Sequence, residues 1–152
     1  MGNRQELERS MPALLTHEGV WEGIYQIVDV HGRLTDEHRS RVECVFPDHG
    51  PFHYVQRNHF EWEDGRVYEV EFGGTLDGDR VVWDVETFAG HAWVTAGDVI
   101  LLQLDRKDEP GATFTEIIVP GADGETRART WHWFRDGTLY QRTLCNERRS
   151  TE

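Results

Sequence analysis

Apolar and polar residues alternate along most of the chain after Gly19, in short runs that are separated by turn residues. Asp-Gly pairs begin at Asp64, Asp77, Asp123 and Asp136. Each pair marks a reversal, because Asp-Gly tolerates the positive φ angles of a tight hairpin. The alternation predicts ten strands, over residues 20–30, 39–46, 52–62, 66–72, 80–88, 91–95, 99–106, 112–119, 126–134 and 138–146.

Ten hairpin-linked strands would leave a long exposed sheet edge unless the sheet closes on itself. No helical pattern lies between the strands, so a parallel α/β sheet is excluded. We therefore predict an all-β fold, a closed up-and-down antiparallel barrel of about eight to ten strands with a short N-terminal helix. A β-sandwich is the alternative, but the uniformly short turns favour pairing between neighbours.

Residues 4–15 form the one segment with a helical pattern. Pro12 interrupts it, so we predict one or two helical turns. The predicted organisation is a helical plug over residues 1–18, a lipocalin-like barrel over residues 19–147 and a disordered tail over residues 148–152. The apolar positions on one face of the predicted helix are Leu7, Met11, Leu14 and Leu15.

Strand residues alternate between the two faces of a sheet, so their parity predicts which side chains point inward. The third strand carries an aromatic face with two amides, formed by Phe52, Tyr54, Gln56, Asn58, Phe60 and Trp62. A solid barrel would be filled by aliphatic residues, so this mixture favours a ligand cavity over ordinary core packing. The predicted lining consists of Tyr25, Tyr54, Gln56, Asn58, Phe60, Trp62, Tyr68, Trp83 and His132.

The ninth strand has two candidate inner faces. We predict that His132 faces inward and is an interior acid–base group. If Trp131 and Trp133 face inward instead, more apolar area is buried and Arg127 and Arg129 line the barrel mouth.

The formal net charge is −12, from 16 basic and 28 acidic side chains. Such a field repels phosphate backbones and anionic membrane surfaces, so we expect neither nucleic acid nor membrane as a partner. Cys44 and Cys145 are too few for a disulfide scaffold, and we interpret them as buried free thiols in a cytoplasmic protein. The polar segment 2–10 contains no export signal. The sequence leaves a homodimer open.

Three histidines near the second hairpin raise the question of a metal site. His53 and His59 are about 20 Å apart along an extended strand, so they cannot share one ion. His49 and His53 could meet around the turn, but solvated surface histidines are the favoured interpretation. We therefore expect no metal. Asp84 and Glu86 are interpreted as solvent-exposed carboxylates beside a buried Trp83, rather than as a general acid or base.

The segment Gly19–Tyr25 reads Gly-Val-Trp-Glu-Gly-Ile-Tyr and follows the predicted helix. It resembles the Gly-x-Trp signature that opens the first strand of lipocalins and their calycin relatives. The resemblance implies that Trp21 closes one barrel end and packs against a cation of the last strand, for which Arg142 is the candidate. The second lipocalin signature and the usual disulfide are absent, so the chain is more similar to intracellular bacterial lipocalin-like families.

Ten strands also resemble fatty-acid-binding proteins and haem-binding nitrobindins, and His91 or His132 could supply an axial ligand. No surrounding motif supports haem, and we expect no cofactor. The leading hypothesis is binding of a small apolar or aromatic molecule in the cavity. The alternative is a cofactor-independent lyase, isomerase, hydratase or cyclase. In that case His132 would be the acid or base, and Tyr54 and Tyr25 would donate hydrogen bonds to an oxyanion.

Overall fold

Ten antiparallel strands close into one barrel in the computed structural model, which describes residues 1–151. Each strand pairs with its neighbours along the chain, and β1 pairs with β10 at the seam. The predicted all-β barrel with a short N-terminal helix is therefore confirmed. The strands are β1 Gly19–Asp29, β2 Leu34–Val45, β3 Tyr54–Glu61, β4 Val67–Asp77, β5 Arg80–Asp84, β6 Phe88–Val94, β7 Ile100–Arg106, β8 Ala112–Pro120, β9 Thr126–Arg135 and β10 Thr138–Arg149.

Three strand bounds differ from the prediction in ways that affect the site. β2 begins at Leu34 rather than at residue 39, because its polar first half still pairs with β1. β5 ends at Asp84, so the next reversal falls at residues 85–87. β10 continues to Arg149, into the segment that was predicted as a disordered tail. Glu152, the end of that predicted tail, lies outside the described residues.

The N-terminal segment folds as two short helices, α1 Asn3–Ser10 and α2 Pro12–Leu15. The break falls at Met11, where the proline ring starts a new helix instead of continuing the first. Leu7, Met11 and Leu14 are buried and join the barrel core, as the helical pattern predicts. The two helices thus close one end of the barrel, and a 3₁₀ turn at Ala96–Asp98 lies between β6 and β7.

Trp21 is buried at the closed end between two guanidinium groups. Arg127 lies 4.5 Å and Arg149 4.3 Å from its ring centroid. The indole Nε1–H donates to the carbonyl oxygen of His17 at 2.9 Å. The expected cation of the last strand is therefore present, but its assignment to Arg142 is wrong. Antiparallel pairing places Arg149 opposite Trp21, whereas Arg142 pairs with Val28 near the other end of the barrel.

The two cysteines lie where they were expected, but Phe52 does not. Cys44 and Cys145 are free and buried, as predicted. Phe52 was grouped with the inner face of the third strand, and this is wrong. It precedes β3, is 42% exposed, and its ring covers Gly73, where an added Cβ would lie 2.5 Å from Cγ of the ring. Within residues 1–151, no helix is long and apolar enough to cross a membrane.

Candidate ligand cavity

The barrel encloses a cavity of about 490 Å³. It extends from Leu14 of the plug to the opposite end of the barrel, where Arg106 ends β7 and Asp108 lies in the loop that follows. We call that opposite end the mouth, because within residues 1–151 the loops at that end contain no helix. The wall contains eight of the side chains predicted to line it, namely Tyr25, Tyr54, Gln56, Asn58, Phe60, Trp62, Tyr68 and Trp83.

His132 does not line the cavity, so the prediction that it faces inward is wrong. The face of β9 that lines the cavity carries Arg127, Arg129, Trp131 and Trp133. Because side chains alternate along a strand, His132 lies on the outer face. The inner face carries the buried indole of Trp131 and the partly buried indole of Trp133, and its two arginines pair with carboxylates on the flanking strands β8 and β10. These partners lie far apart in the sequence, which is why strand parity alone could not decide the orientation.

Four charged side chains form one buried network beside the plug. Nε of Arg127 donates to Glu147 at 2.6 Å, and Nε of Arg129 donates to Glu116 at 2.6 Å. Nη1 of Arg129 also donates to Glu147 at 3.3 Å and to the hydroxyl oxygen of Tyr25 at 3.0 Å. Gly23 lets the two strands approach closely here, since an added Cβ would lie 2.5 Å from the carbonyl oxygen of Asn146 and 3.0 Å from Cγ of Glu147. The network contains two positive and two negative groups, so their charges balance.

The pKa values of Arg127, Arg129 and Glu147 are shifted in the directions that keep these three groups charged. Burial alone would raise the pKa of Glu147, but Arg129 and Arg127 outweigh it and the net shift is downward. Burial together with the positive charges of Arg127 and Arg149 lowers the pKa of His17 to about 4. The His17 ring, which contacts Nη1 of Arg127 at 3.0 Å, is therefore neutral at physiological pH and accepts this hydrogen bond through Nδ1.

The wall nearer the mouth is mostly aromatic. The Tyr25 ring lies 5.0 Å from Phe60 and 5.1 Å from Trp131, measured between ring centroids. His38 lies among these rings, 4.2 Å from the Trp62 ring. Its Nδ1 is 2.7 Å from a carboxylate oxygen of Asp36, whose other oxygen accepts the indole N–H of Trp62 at 2.9 Å. The cavity wall therefore includes the imidazole of His38, whose Nδ1 is paired with the carboxylate of Asp36 behind it.

A polar stripe runs along β3 between these two regions. The hydroxyl of Tyr54 donates to Oε1 of Gln56 at 2.7 Å, and Nε2 of Gln56 donates to Oδ1 of Asn58 at 2.9 Å. Burial raises the pKa of Tyr54 well above its ordinary value, so the phenol remains protonated and able to donate. The predicted amides are thus hydrogen-bonded to one another in the wall.

The sequence interpretation missed three important wall residues. Arg127 and Arg129 were considered only for the barrel mouth, but they lie beside the plug end. His38 was not considered at all, because the second strand was predicted to begin one residue after it. Parity from Val42 through Ser40 to His38 would have placed it inward if the polar start of β2 had been included.

The other histidines that were considered as ligands of haem or of a metal lie outside the cavity wall. His91 stacks on Trp93 and does not line the cavity, so neither candidate haem ligand reaches the interior. His53 binds Glu6 of the plug at 3.1 Å and accepts the backbone N–H of Leu76. Among residues 1–151 no cluster of three metal-ligating side chains occurs.

The carboxylates of the fifth strand do not contribute to the cavity. Asp84 is exposed and pairs with Lys107, and Glu86 is also exposed. Trp83 is buried in the cavity wall. The solvent-exposed interpretation of the two carboxylates therefore agrees with the structure.

No protein-family model matches the sequence, and no curated protein matches it. Solved structures do share its fold. The chain is similar to a protein of unknown function from the DUF3598 family of Nostoc punctiforme, with a TM-score of 0.70 and 18% identity over 90% of the chain. It spans 49% of that protein, about half its length.

Two further similar structures are matched over nearly their whole length. The S-type phycobiliprotein lyase CPES from Guillardia theta has a TM-score of 0.71 at 13% identity, covering 100% of this chain and 94% of the lyase. Rv2717c from M. tuberculosis has a TM-score of 0.64 at 15% identity, covering 93% of this chain and 97% of that protein. At these identities the similarity shows a shared β-barrel fold and no more.

Proposed function

We propose that the protein binds a small, largely apolar or aromatic molecule inside the barrel. The observation that carries this proposal is the cavity of about 490 Å³, whose wall combines aromatic rings with a few polar side chains. Its volume lies within the range of roughly 300–1,000 Å³ that is typical of small-molecule sites. A barrel whose only task was stability would fill this space with side chains, because voids forfeit packing contacts.

The arrangement of polar groups favours a neutral ligand. The two guanidiniums and two carboxylates beside the plug already compensate one another. An additional ionised group on the ligand would therefore be buried without a counter-charge, which is costly. We propose that the ligand places its ring system against Phe60, Trp131 and Trp133, and a carbonyl or hydroxyl group near Gln56 and Asn58.

We propose no nucleic acid or membrane partner, since the net charge of −12 opposes both. The free thiols favour a cytoplasmic location. The second candidate function is cofactor-independent catalysis on the bound molecule. A phycobiliprotein lyase has the same fold, so this architecture occurs in an enzyme. The observation in this chain that favours catalysis is His38, which lies in the cavity wall and is paired through Nδ1 with the carboxylate of Asp36.

The binding proposal is tested by filling the cavity. N-phenylnaphthylamine, a neutral aromatic dye that fluoresces in apolar surroundings, is titrated into the protein. Val70 lines the cavity next to Asn58, its cross-strand partner on β3, whereas the adjacent Glu69 faces solvent. We expect Val70→Phe to weaken dye binding at least about tenfold, because the added ring occupies ligand space.

The matched control is Glu69→Phe, which adds the same ring to the outer face and should leave dye affinity unchanged. Thermal unfolding of both variants checks that they fold. Equal dye affinity in the two variants would contradict binding in the cavity. So would the absence of any dye binding or ligand-induced thermal stabilisation of the unmodified protein across a panel of neutral aromatic compounds.

A further inference from the structure

His38 is held in one orientation within the cavity wall. Its side chain is 6% exposed. The rings of Trp62, Tyr25 and Phe60 lie 4.2, 5.1 and 5.4 Å from its own, measured between centroids. Their packing on different sides leaves the imidazole little rotational freedom. A polar ring that is fixed among aromatic rings in a cavity wall is suited to meeting a bound molecule in a defined geometry.

Asp36 determines which ring nitrogen of His38 carries the proton. An ionised carboxylate can only accept hydrogen bonds, so Nδ1, 2.7 Å from Asp36, is the protonated nitrogen. The indole of Trp62 donates to the same carboxylate and holds it in place. In the neutral imidazole Nε2 therefore keeps a free lone pair, as in a general base oriented by a carboxylate.

The Nε2 atom of His38 is open to the cavity. It makes no hydrogen bond to any other residue in the described part of the chain, 1–151. It also differs from the polar atoms that are both unpartnered and fully buried, such as Nε2 of His17 and Nε1 of Trp131. Because His38 belongs to the cavity wall, the space next to its Nε2 is ligand space.

A hydrogen-bond donor lies beside this base. Tyr25 is the cross-strand partner of His38, and its hydroxyl oxygen accepts Nη1–H of Arg129 at 3.0 Å. Burial raises the pKa of Tyr25, with Arg129 only partly opposing it, so the phenol keeps its proton. Its O–H is therefore free to donate, and Arg129 behind it strengthens that donor by stabilising negative charge on the oxygen.

We propose that His38 is a general base that moves a proton within a neutral, apolar or aromatic carbonyl compound bound in the cavity; this rests on the proposed binding function. Nε2 takes a proton from the carbon next to the carbonyl. The electrons of that C–H bond form the carbon–carbon double bond of an enolate, and the carbonyl π electrons move to oxygen, which Tyr25 stabilises by a hydrogen bond.

The same proton then returns from Nε2 to carbon, and the carbonyl re-forms. In a β,γ-unsaturated carbonyl compound, return to the γ carbon moves the double bond into conjugation, so the net reaction is an isomerisation. No oxidant, reductant or co-substrate is needed. One base, one oxyanion donor and an apolar wall are the groups that this reaction requires. His38 and Tyr25 are the catalytic residues, and Asp36 is a positioning residue.

The experiment measures the proton abstraction directly. β-Tetralone, a neutral aromatic ketone with acidic C–H bonds, is incubated with the protein in D₂O at a concentration that displaces N-phenylnaphthylamine. Deuterium incorporation next to the carbonyl is followed by NMR. We expect the protein to accelerate exchange. His38→Gln should slow the catalysed exchange at least about 100-fold, and Tyr25→Phe should slow it about tenfold or more.

His132→Gln is the matched control, because it removes a histidine from the outer face of the same barrel. Its exchange rate should equal that of the unmodified protein. Asp36→Asn tests positioning: it should lower the exchange rate and also change the His38 tautomer, which nitrogen NMR of the ring reports. A purely structural role for Asp36 would leave the tautomer unchanged.

The possible failures are distinguishable. If the dye does not bind, the proposed binding function fails and this inference fails with it. If the dye binds but β-tetralone cannot displace it, or displaces it without faster exchange, the binding function stands and the carbonyl chemistry is overturned. Retention of the exchange rate in a His38→Gln variant that still binds the dye would equally overturn the role of His38.

Discussion

The two ends of the cavity use buried polar groups in opposite ways. The plug half, which we define by Arg127, Arg129, Glu116 and Glu147, directs its charged groups at one another. The mouth half, defined by His38, Asp36, Trp62 and Phe60, contains a histidine with one nitrogen left open to the cavity. In the plug half the charges hold strands together, whereas in the mouth half a polar atom remains available for a ligand.

This difference has an energetic cause. A buried ion is costly to remove from water, and only a close partner offsets that cost. The guanidiniums and carboxylates of the plug half are all nearly inaccessible, so any loss of one partner leaves the others uncompensated. The mouth half contains mainly aromatic rings and one imidazole, and the side chain of Asp36 is 34% exposed. Substitutions in the plug half should therefore affect stability most.

The largest effect is expected at Glu147, which accepts hydrogen bonds from both buried arginines. Glu147→Gln keeps the shape but leaves one positive charge in excess. Breaking a buried ion pair costs about 3–5 kcal/mol, which lowers Tm by on the order of 10 °C in a protein of this size. Denaturant and thermal unfolding measure the change. Glu43→Gln, which removes a charge from an exposed pair with Arg57, is the control and should cost less than about 1 kcal/mol. Similar losses of unfolding free energy in the two variants would contradict the distinction between the buried network and an exposed ion pair.

The next effect is a pH dependence that originates at His17. Its pKa is lowered from 6.5 to about 4 in the folded protein, so only the unfolded chain binds a proton between these values. The titration of His17 therefore adds no pH dependence to stability above about pH 6.5, and it lowers stability as the pH falls to about 4, by about 3 kcal/mol in total. His17→Gln keeps an acceptor for Arg127 and should flatten this part of the stability curve. His49→Gln, at the exposed surface, should not. If stability depended on pH in the same way in His17→Gln and in the unmodified protein, the pKa of His17 would not differ between the folded and unfolded states.

The smallest effect on stability is expected in the mouth half. Phe60→Leu keeps an apolar side chain of similar size in a partly exposed position, so it should cost only about 1 kcal/mol. It should nevertheless weaken dye binding, since Phe60 lines the cavity and packs on Tyr25. A loss of stability as large as that of Glu147→Gln would remove the distinction between the halves.

Much of the fold could be predicted from local sequence patterns. Alternation and turn chemistry depend only on neighbouring residues, and Asp136 and Gly137 do adopt the positive φ values that an Asp-Gly hairpin requires. The plug was equally predictable, because Leu7, Met11 and Leu14 recur at helical spacing. The start of β2 was missed because its first residues are polar, and a polar strand segment lacks the hydrophobic alternation that reveals a strand.

The site was predictable where a residue's environment follows from its own strand. Tyr54, Gln56 and Asn58 line the cavity because parity along β3 is sufficient to place them. The orientation of β9 was not predictable in this way. Whether Arg129 or His132 faces inward depends on Glu116 and Glu147, which belong to other strands. Which side chains of two different strands become partners is decided by the tertiary structure. The residues next to each other in the sequence do not show it.

The seam at Trp21 has a consequence for how the chain reaches its native state. β1 and β10 are separated in the sequence by all the other strands, so their pairing is the most non-local in the fold. Such contacts form slowly, and an unclosed sheet exposes two unpaired edges that can pair with other chains. Arg149, at the end of β10, contacts the Trp21 ring only once the seam has formed. During synthesis the nascent barrel therefore remains prone to aggregation until the last strand has emerged and paired.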